Sequence, residues 1–317
     1  MSNQTTLMIL GALLVIVLGL YVFTSANLFG QHNGTTAILD TLAPLPAATG
    51  GVAVGADGNV YVADIGAAPD RNGQRVYRVT PNGEVEIFVQ DHLILGASGN
   101  AFDAQGNLYQ SSLRHSQIVK ISPDGDLSIF ANSNQGVTNP VGLVFDEEGT
   151  LFVANCGGGN VLILNSDGEQ VRTINSALFN CPNGIALDDE KNIYVANFSN
   201  GNVLKIDAES FQTEIFVTLP GNNNGHITWA DGFFYLVDRG GARIYTLSLD
   251  GDLEPFAATG ERGHVDGPVG VAQISLPNDL GISPDGDILY FNDAEPTTGS
   301  LNQPSFLKRI MLNPDEN

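Results

Sequence analysis

Four residues stand where their chemistry could be used together: Asn183, His226, Asn278 and Asp279. Each opens a short apolar run (Gly184-Ile185-Ala186-Leu187, Ile227-Thr228-Trp229 and Leu280-Gly281-Ile282), so each is held at the start of a strand. Amide and carboxylate oxygens such as those of Asn183, Asn278 and Asp279 are hard donors. An imidazole could hold or move a proton and a carboxylate could do acid–base work, which makes His226 and Asp279 separate catalytic candidates; a lone histidine is more often a satisfied structural residue. Ser98, Asn100, Arg239 and Asp293 complete a polar set that could form a binding face. No nucleophile elbow, phosphate-cradling loop or Cys-x-x-Cys cluster occurs. Cys156-Gly157-Gly158-Gly159 lacks the Lys-Ser/Thr of a P-loop and reads as a turn.

The elements that must position these residues repeat along the chain. Six units begin with an apolar strand, a turn and a second strand ending in Asp, Asn or Ser: GVAVGADGNVYVAD from Gly51, GNAFDAQGNLYQSS from Gly99, GLVFDEEGTLFVAN from Gly142, GIALDDEKNIYVAN from Gly184, HITWADGFFYLVD from His226 and DLGISPDGDILYFND from Asp279. A second hairpin follows in five of them, as in VYRVTPNGEVEIFV from Val76. The turns at Asp57 and Asp285 bracket five steps of about 46 residues, and four short strands per such period predict a propeller blade. The sixth unit lacks a fourth strand after Phe306–Leu312, and Thr35–Leu42 is spare at the other end. Pairing the two would close the ring and remove an open edge. The fold class expected is therefore all-β, a six-bladed propeller over 31–317 closed by an N-terminal strand.

These repeats resemble those of the six-bladed NHL-type and SMP-30/gluconolactonase-like propellers, over nearly all of the chain after its N-terminal segment. The resemblance implies a fold shared by lactonases, lyases and non-catalytic binding modules. It also implies a Ca²⁺ site built from a Glu, two Asn and an Asp at the starts of innermost strands. The equivalent positions here are Gly50, Ser98, Val141, Asn183, Gly225 and Asn278, so the two anionic ligands are missing and only Asn183 matches well. That incomplete set, with the N-terminal apolar segment and the cysteine pair described below, points first to an exported, membrane-tethered binding or assembly module, such as a subunit of a larger envelope or surface complex, with a protein partner or self-assembly, or a small-molecule or glycan ligand. The alternative is a Ca²⁺-dependent lactone hydrolase. The strand-end residues Asp64, Ser112, Asn155, Asn197, Asp238 and Asp293 have a structural reading as caps of the following turns. The recurring Tyr61, Tyr109, Phe152, Tyr194, Tyr235 and Tyr290 read as packing between blades.

Cys156 follows the second strand of blade three and Cys181 precedes the first strand of blade four, on the same face. A disulfide is expected, with two free thiols as the other reading. Two long connections, Asp64–Gln74 and Thr259–Ser275, read as loops on that face. Leu7–Phe23 is uncharged and at ~1.5 Å per residue spans about 25 Å, so residues 1–30 read as a membrane anchor or a cleaved signal. Either places the propeller outside the cytoplasm, tethered to the membrane or secreted. With 13 Lys+Arg against 35 Asp+Glu the net charge is −22, which excludes nucleic-acid binding by phosphate neutralisation.

Overall fold

A computed structural model describes residues 31–32, 35–47, 49–67, 70–295 and 304–312. It shows six antiparallel sheets arranged as the blades of a propeller. The innermost strands are Thr49–Val54, Ala97–Phe102, Pro140–Phe145, Pro182–Leu187, Asn224–Ala230 and Leu276–Ile282. Each packs against the innermost strands of both neighbouring blades, with blade six meeting blade one.

The alternation of side chains dictates the packing. Second strands such as Val60–Asp64 and Leu151–Asn155 are buried throughout because both faces meet a neighbouring blade. Outermost strands such as Leu127–Ala131 bury little. The recurring aromatic of the second strand bridges blades: Tyr61 stacks edge-on against Phe102 of blade two, and Tyr109 against Phe145 of blade three.

All six innermost strands carry a register shift near their start, for example between Pro182 and Gly184 and between Pro140 and Leu143. In blades three and four close approach requires glycine at that level. A Cβ on Gly142 would lie 2.4 Å from the Asn183 carbonyl oxygen, and one on Gly184 would lie 2.6 Å from the His226 Cα.

Ring closure matches the expectation with a shift in register. The closing strand is Ile38–Leu45 rather than Thr35–Leu42, and it pairs antiparallel with Ser305–Met311 from Leu39↔Ile310 to Leu45↔Ser305. The 259–275 connection is not a free loop. Gly267–Pro268 pairs with Ile38 and Leu39 and becomes a fifth strand of blade six. Lys308, fully buried, binds Asp266 at 2.8 Å and Thr41 Oγ1 at 3.0 Å, so the node joins the last strand, the closing strand and the insertion. All the pairings that close the ring lie within residues 31–312. The apolar 7–23 run lies outside the described residues, and among those described no helix is long and apolar enough to cross a membrane.

Candidate functional site

The innermost strands line a central channel in stacked levels. At its first level, beside the Cys156–Cys181 bridge, a small mouth cavity of about 70 Å³ is lined by Thr49, Ser98, Val141, Asn183 and Asn278, with Arg71 and Arg239 at its rim. The two cysteines are bonded, with Cα atoms 4.1 Å apart. The second level holds Gly51, Gly99, Gly142 and Gly184 in blades one to four, then His226 and Asp279 in blades five and six. Below it the channel widens to about 420 Å³, with walls that include Val54, Phe102, Phe145, Leu187, Trp229 and Ile282.

His226 and Asp279 meet across neighbouring blades, Nδ1 to Oδ1 at 3.1 Å, with both side chains 6% exposed. The Asp279 carboxylate also accepts from the Val52 N–H at 2.9 Å and the Leu280 N–H at 2.7 Å. These bonds fix the imidazole with Nδ1–H donated, so in the neutral ring Nε2 presents its lone pair. Among the described residues Nε2 is buried and makes no hydrogen bond, and Asn100 Oδ1 on the channel wall is likewise unpartnered while its Nδ2 reaches the Tyr61 carbonyl. Leaving such a group unpaired costs about 1–3 kcal/mol, so the channel carries polar capacity directed inward.

The mouth differs in chemistry. Asn183 donates Nδ2 to the carbonyls of Asn224 and Gly225, and Asn278 donates to the Gly50 carbonyl, leaving the amide oxygens available. Arg239 is half-buried and donates Nη1 to the Leu276 and Pro277 carbonyls. Burial lowers its pKa to about 10, opposed by the charge of Asp293 and assisted by Arg71 and Arg262.

Asp293, which the sequence placed on the binding face, is instead fully buried against backbone, accepting from the N–H groups of Ser275 and Leu276 at 2.8–3.1 Å. Its neighbours in the strand-end ring do the same: Ser112 accepts from Leu95, Asn155 from Thr138, Asn197 from Asn180 and Asp238 from Gly221. The structural reading stands with a correction. Five of the six hold the loop entering their own blade, 17 or 18 residues upstream, while Asp64 serves the following turn at Gly66 and Asp238 also reaches Gly241.

A sequence profile for the SMP-30/gluconolactonase/LRE-like region matches residues 47–183, and one for the NHL repeat matches residues 179–206. Over these residues the chain is similar to SMP-30/gluconolactonase-like and NHL-repeat proteins, and its fold is a six-bladed propeller. No curated protein matches it. Among solved structures, the gluconolactonase of Xanthomonas campestris is 16% identical, with a TM-score of 0.67 over 87% of this chain and 89% of that one. Virginiamycin B lyase from Staphylococcus aureus is 15% identical, with a TM-score of 0.58 over 80% of each chain. A chain of the nidogen–laminin complex is 18% identical, with a TM-score of 0.56 over 72% of this chain and 82% of that one. At these identities the likeness is one of fold.

The Ca²⁺ site of SMP-30-like propellers does not fit the residues present here. The mouth offers amide and hydroxyl oxygens, includes no carboxylate and faces two guanidinium groups. Asp279, the one carboxylate of the expected set, sits a level deeper, bound to His226 and to two backbone N–H groups. Among the described residues no three His, Cys, Asp or Glu side chains converge to hold a metal. Of the sequence candidates, the structure brings Ser98, Asn183, Asn278 and Arg239 together at the mouth and His226, Asp279 and Asn100 in the channel. The residue missed in sequence was Arg71, which the loop between the second and third strands of blade one brings to the cavity lining.

Proposed function

We propose that this SMP-30/gluconolactonase-like propeller is an exported, membrane-tethered module that binds a small amphiphilic molecule in the wide end of its channel. The observation that carries this reading is His226 Nε2, buried without a hydrogen-bond partner among the described residues at the inner end of a channel whose walls combine apolar side chains with exposed polar atoms. A ligand with an apolar body against Phe102, Phe145, Leu187 and Trp229 and a polar head at His226 and Asn100 would satisfy both kinds of wall, the usual design of a small-molecule site. The uncharged 7–23 run supports the tether.

The Asp279 bond to Nδ1 favours a second reading, metal-free lactone hydrolysis. His226 Nε2 would take a proton from the attacking water as its oxygen bonds to the lactone carbonyl carbon. It would return that proton to the ring oxygen as the ring C–O bond breaks. One titration tests both. With residues 31–317, which contain every ring-closing pairing, γ-decalactone is expected to bind by calorimetry, with at least a tenfold loss in His226→Gln and in Leu187→Asp. Conversion to the hydroxy acid, followed by pH-stat, would select the hydrolase. Absence of binding, or equal binding by all three proteins, would overturn the proposal.

A further inference from the structure

The narrow mouth carries chemistry that neither the wide channel nor a metal site accounts for. In a chain with 35 acidic and 13 basic side chains, its lining contains two arginines and no carboxylate. Among the described residues only Nη1 of the Arg239 guanidinium is engaged, with the Leu276 and Pro277 carbonyls. Neither Arg239 nor Arg71 forms an ion pair among the described residues. Asp293, the nearby acid, has its oxygens directed to the N–H groups of Ser275 and Leu276. Two guanidinium groups that repel one another beside a cavity without a carboxylate form a site for a shared anion. The planar fork of arginine matches a carboxylate in particular.

The other lining groups narrow the class. The amide oxygens of Asn183 and Asn278 are acceptors, turned away from the backbone carbonyls that hold their Nδ2 atoms, and an acceptor needs a donor from the ligand. Hydroxyl groups on the ligand supply it, and the hydroxyls of Ser98 and Thr49 can bond to either kind of group. The cavity of about 70 Å³ admits only a small molecule. We infer that the mouth binds a small hydroxycarboxylate of the glycolate and lactate class, its carboxylate between Arg239 and Arg71 and its hydroxyl on Asn183 or Asn278. The level of Gly51, Gly99, Gly142, Gly184, His226 and Asp279 lies between this site and the wide channel, so the inference does not depend on what that channel binds.

The full chain in detergent is titrated with lactate, phosphate and CaCl₂, read by calorimetry and by thermal midpoint. Lactate is expected to bind and raise the midpoint, with affinity that weakens as salt rises. Phosphate should bind at least tenfold more weakly, and CaCl₂ should leave the midpoint unchanged. Arg71→Gln, on an exposed residue, should weaken lactate at least fivefold, and Arg239→Gln should abolish binding. Asn278→Asp should abolish it as well, by placing a carboxylate against the anion. Arg71→Gln guards against Arg239→Gln failing to fold through loss of its carbonyl contacts. The inference is overturned if lactate does not bind, if phosphate binds as tightly, if Arg71→Gln binds lactate like the parent, or if Ca²⁺ stabilises the parent protein.

Discussion

Asp293 shows how a residue type that could bind a ligand is taken up by the fold. Burial raises its carboxyl to about pKa 6, against the lowering effect of the Ser275 and Leu276 N–H groups. Its folded pKa lies above the unfolded value of about 3.9, so its contribution to stability is full below about pH 4 and is lost as the pH rises through 6. Asn155 and Asn197 do the same work in blades three and four, so the site has a neutral precedent. Asp293→Asn is therefore expected to be more stable than the parent at pH 7 by on the order of 2 kcal/mol, and to lose this pH dependence. Thermal midpoints at pH 4, 5, 6 and 7 check it; a variant that parallels the parent at every pH would refute it. The same position shows the limit of sequence reading, because a buried cap and a ligand group have the same side chain. By contrast, His226 and Asp279 were legible as the two units that break the leading Gly of the repeat (Gly51, Gly99, Gly142, Gly184). What no spacing revealed was that these two exceptions meet.

Strands and turns were the most readable scale because apolar alternation and Gly turns recur six times. The register shifts were not, since the extra residue shows only in how each innermost strand pairs with the second strand of its own blade. The closing strand lies three residues beyond Thr35–Leu42 and runs through Pro44. Here it lies in an edge segment, where a missing N–H is tolerated. At this scale the Cys156–Cys181 bond has a definite role: it ties the turn after the second strand of blade three to the segment entering blade four. The bond closes a 25-residue separation, and the loop-entropy model assigns about 3 kcal/mol to a loop of that order. Cys156→Ser is expected to lower the melting midpoint by roughly 5–10 °C, a drop that the parent should reproduce in reductant. Equal midpoints with and without reductant would show that the bond does not stabilise the fold.

For the whole molecule the decisive feature is closure. Every other blade is built from contiguous chain, but blade six draws on the closing strand, the 259–275 insertion and the last strand, and Lys308 joins all three. An ammonium with no exposed surface is tolerable only while Asp266 and Thr41 hold it, because losing one partner of a buried pair costs about 3–5 kcal/mol. Desolvation opposes the Asp266 charge, but Lys308 and the Thr41 N–H outweigh it and set its carboxyl below the usual range. A depressed carboxyl gives stability that is present above its unfolded pKa and lost as the pH falls through its folded one, the opposite sign to Asp293. Asp266 is itself partly exposed, so screening reduces its share and the larger cost falls on the buried lysine left unpaired. Asp266→Asn should therefore destabilise the propeller by about 2–4 kcal/mol in urea unfolding at pH 7, with much less effect near pH 3. Lys308→Met, which replaces the ammonium by an apolar chain of similar length, should be close to neutral and should restore most of the loss when combined with Asp266→Asn. Because opening this blade frees both ends of the ring, the loss is expected in a single cooperative transition seen by every probe. A separate early transition confined to blade six, or a double variant no better than Asp266→Asn alone, would show that closure does not rest on this node.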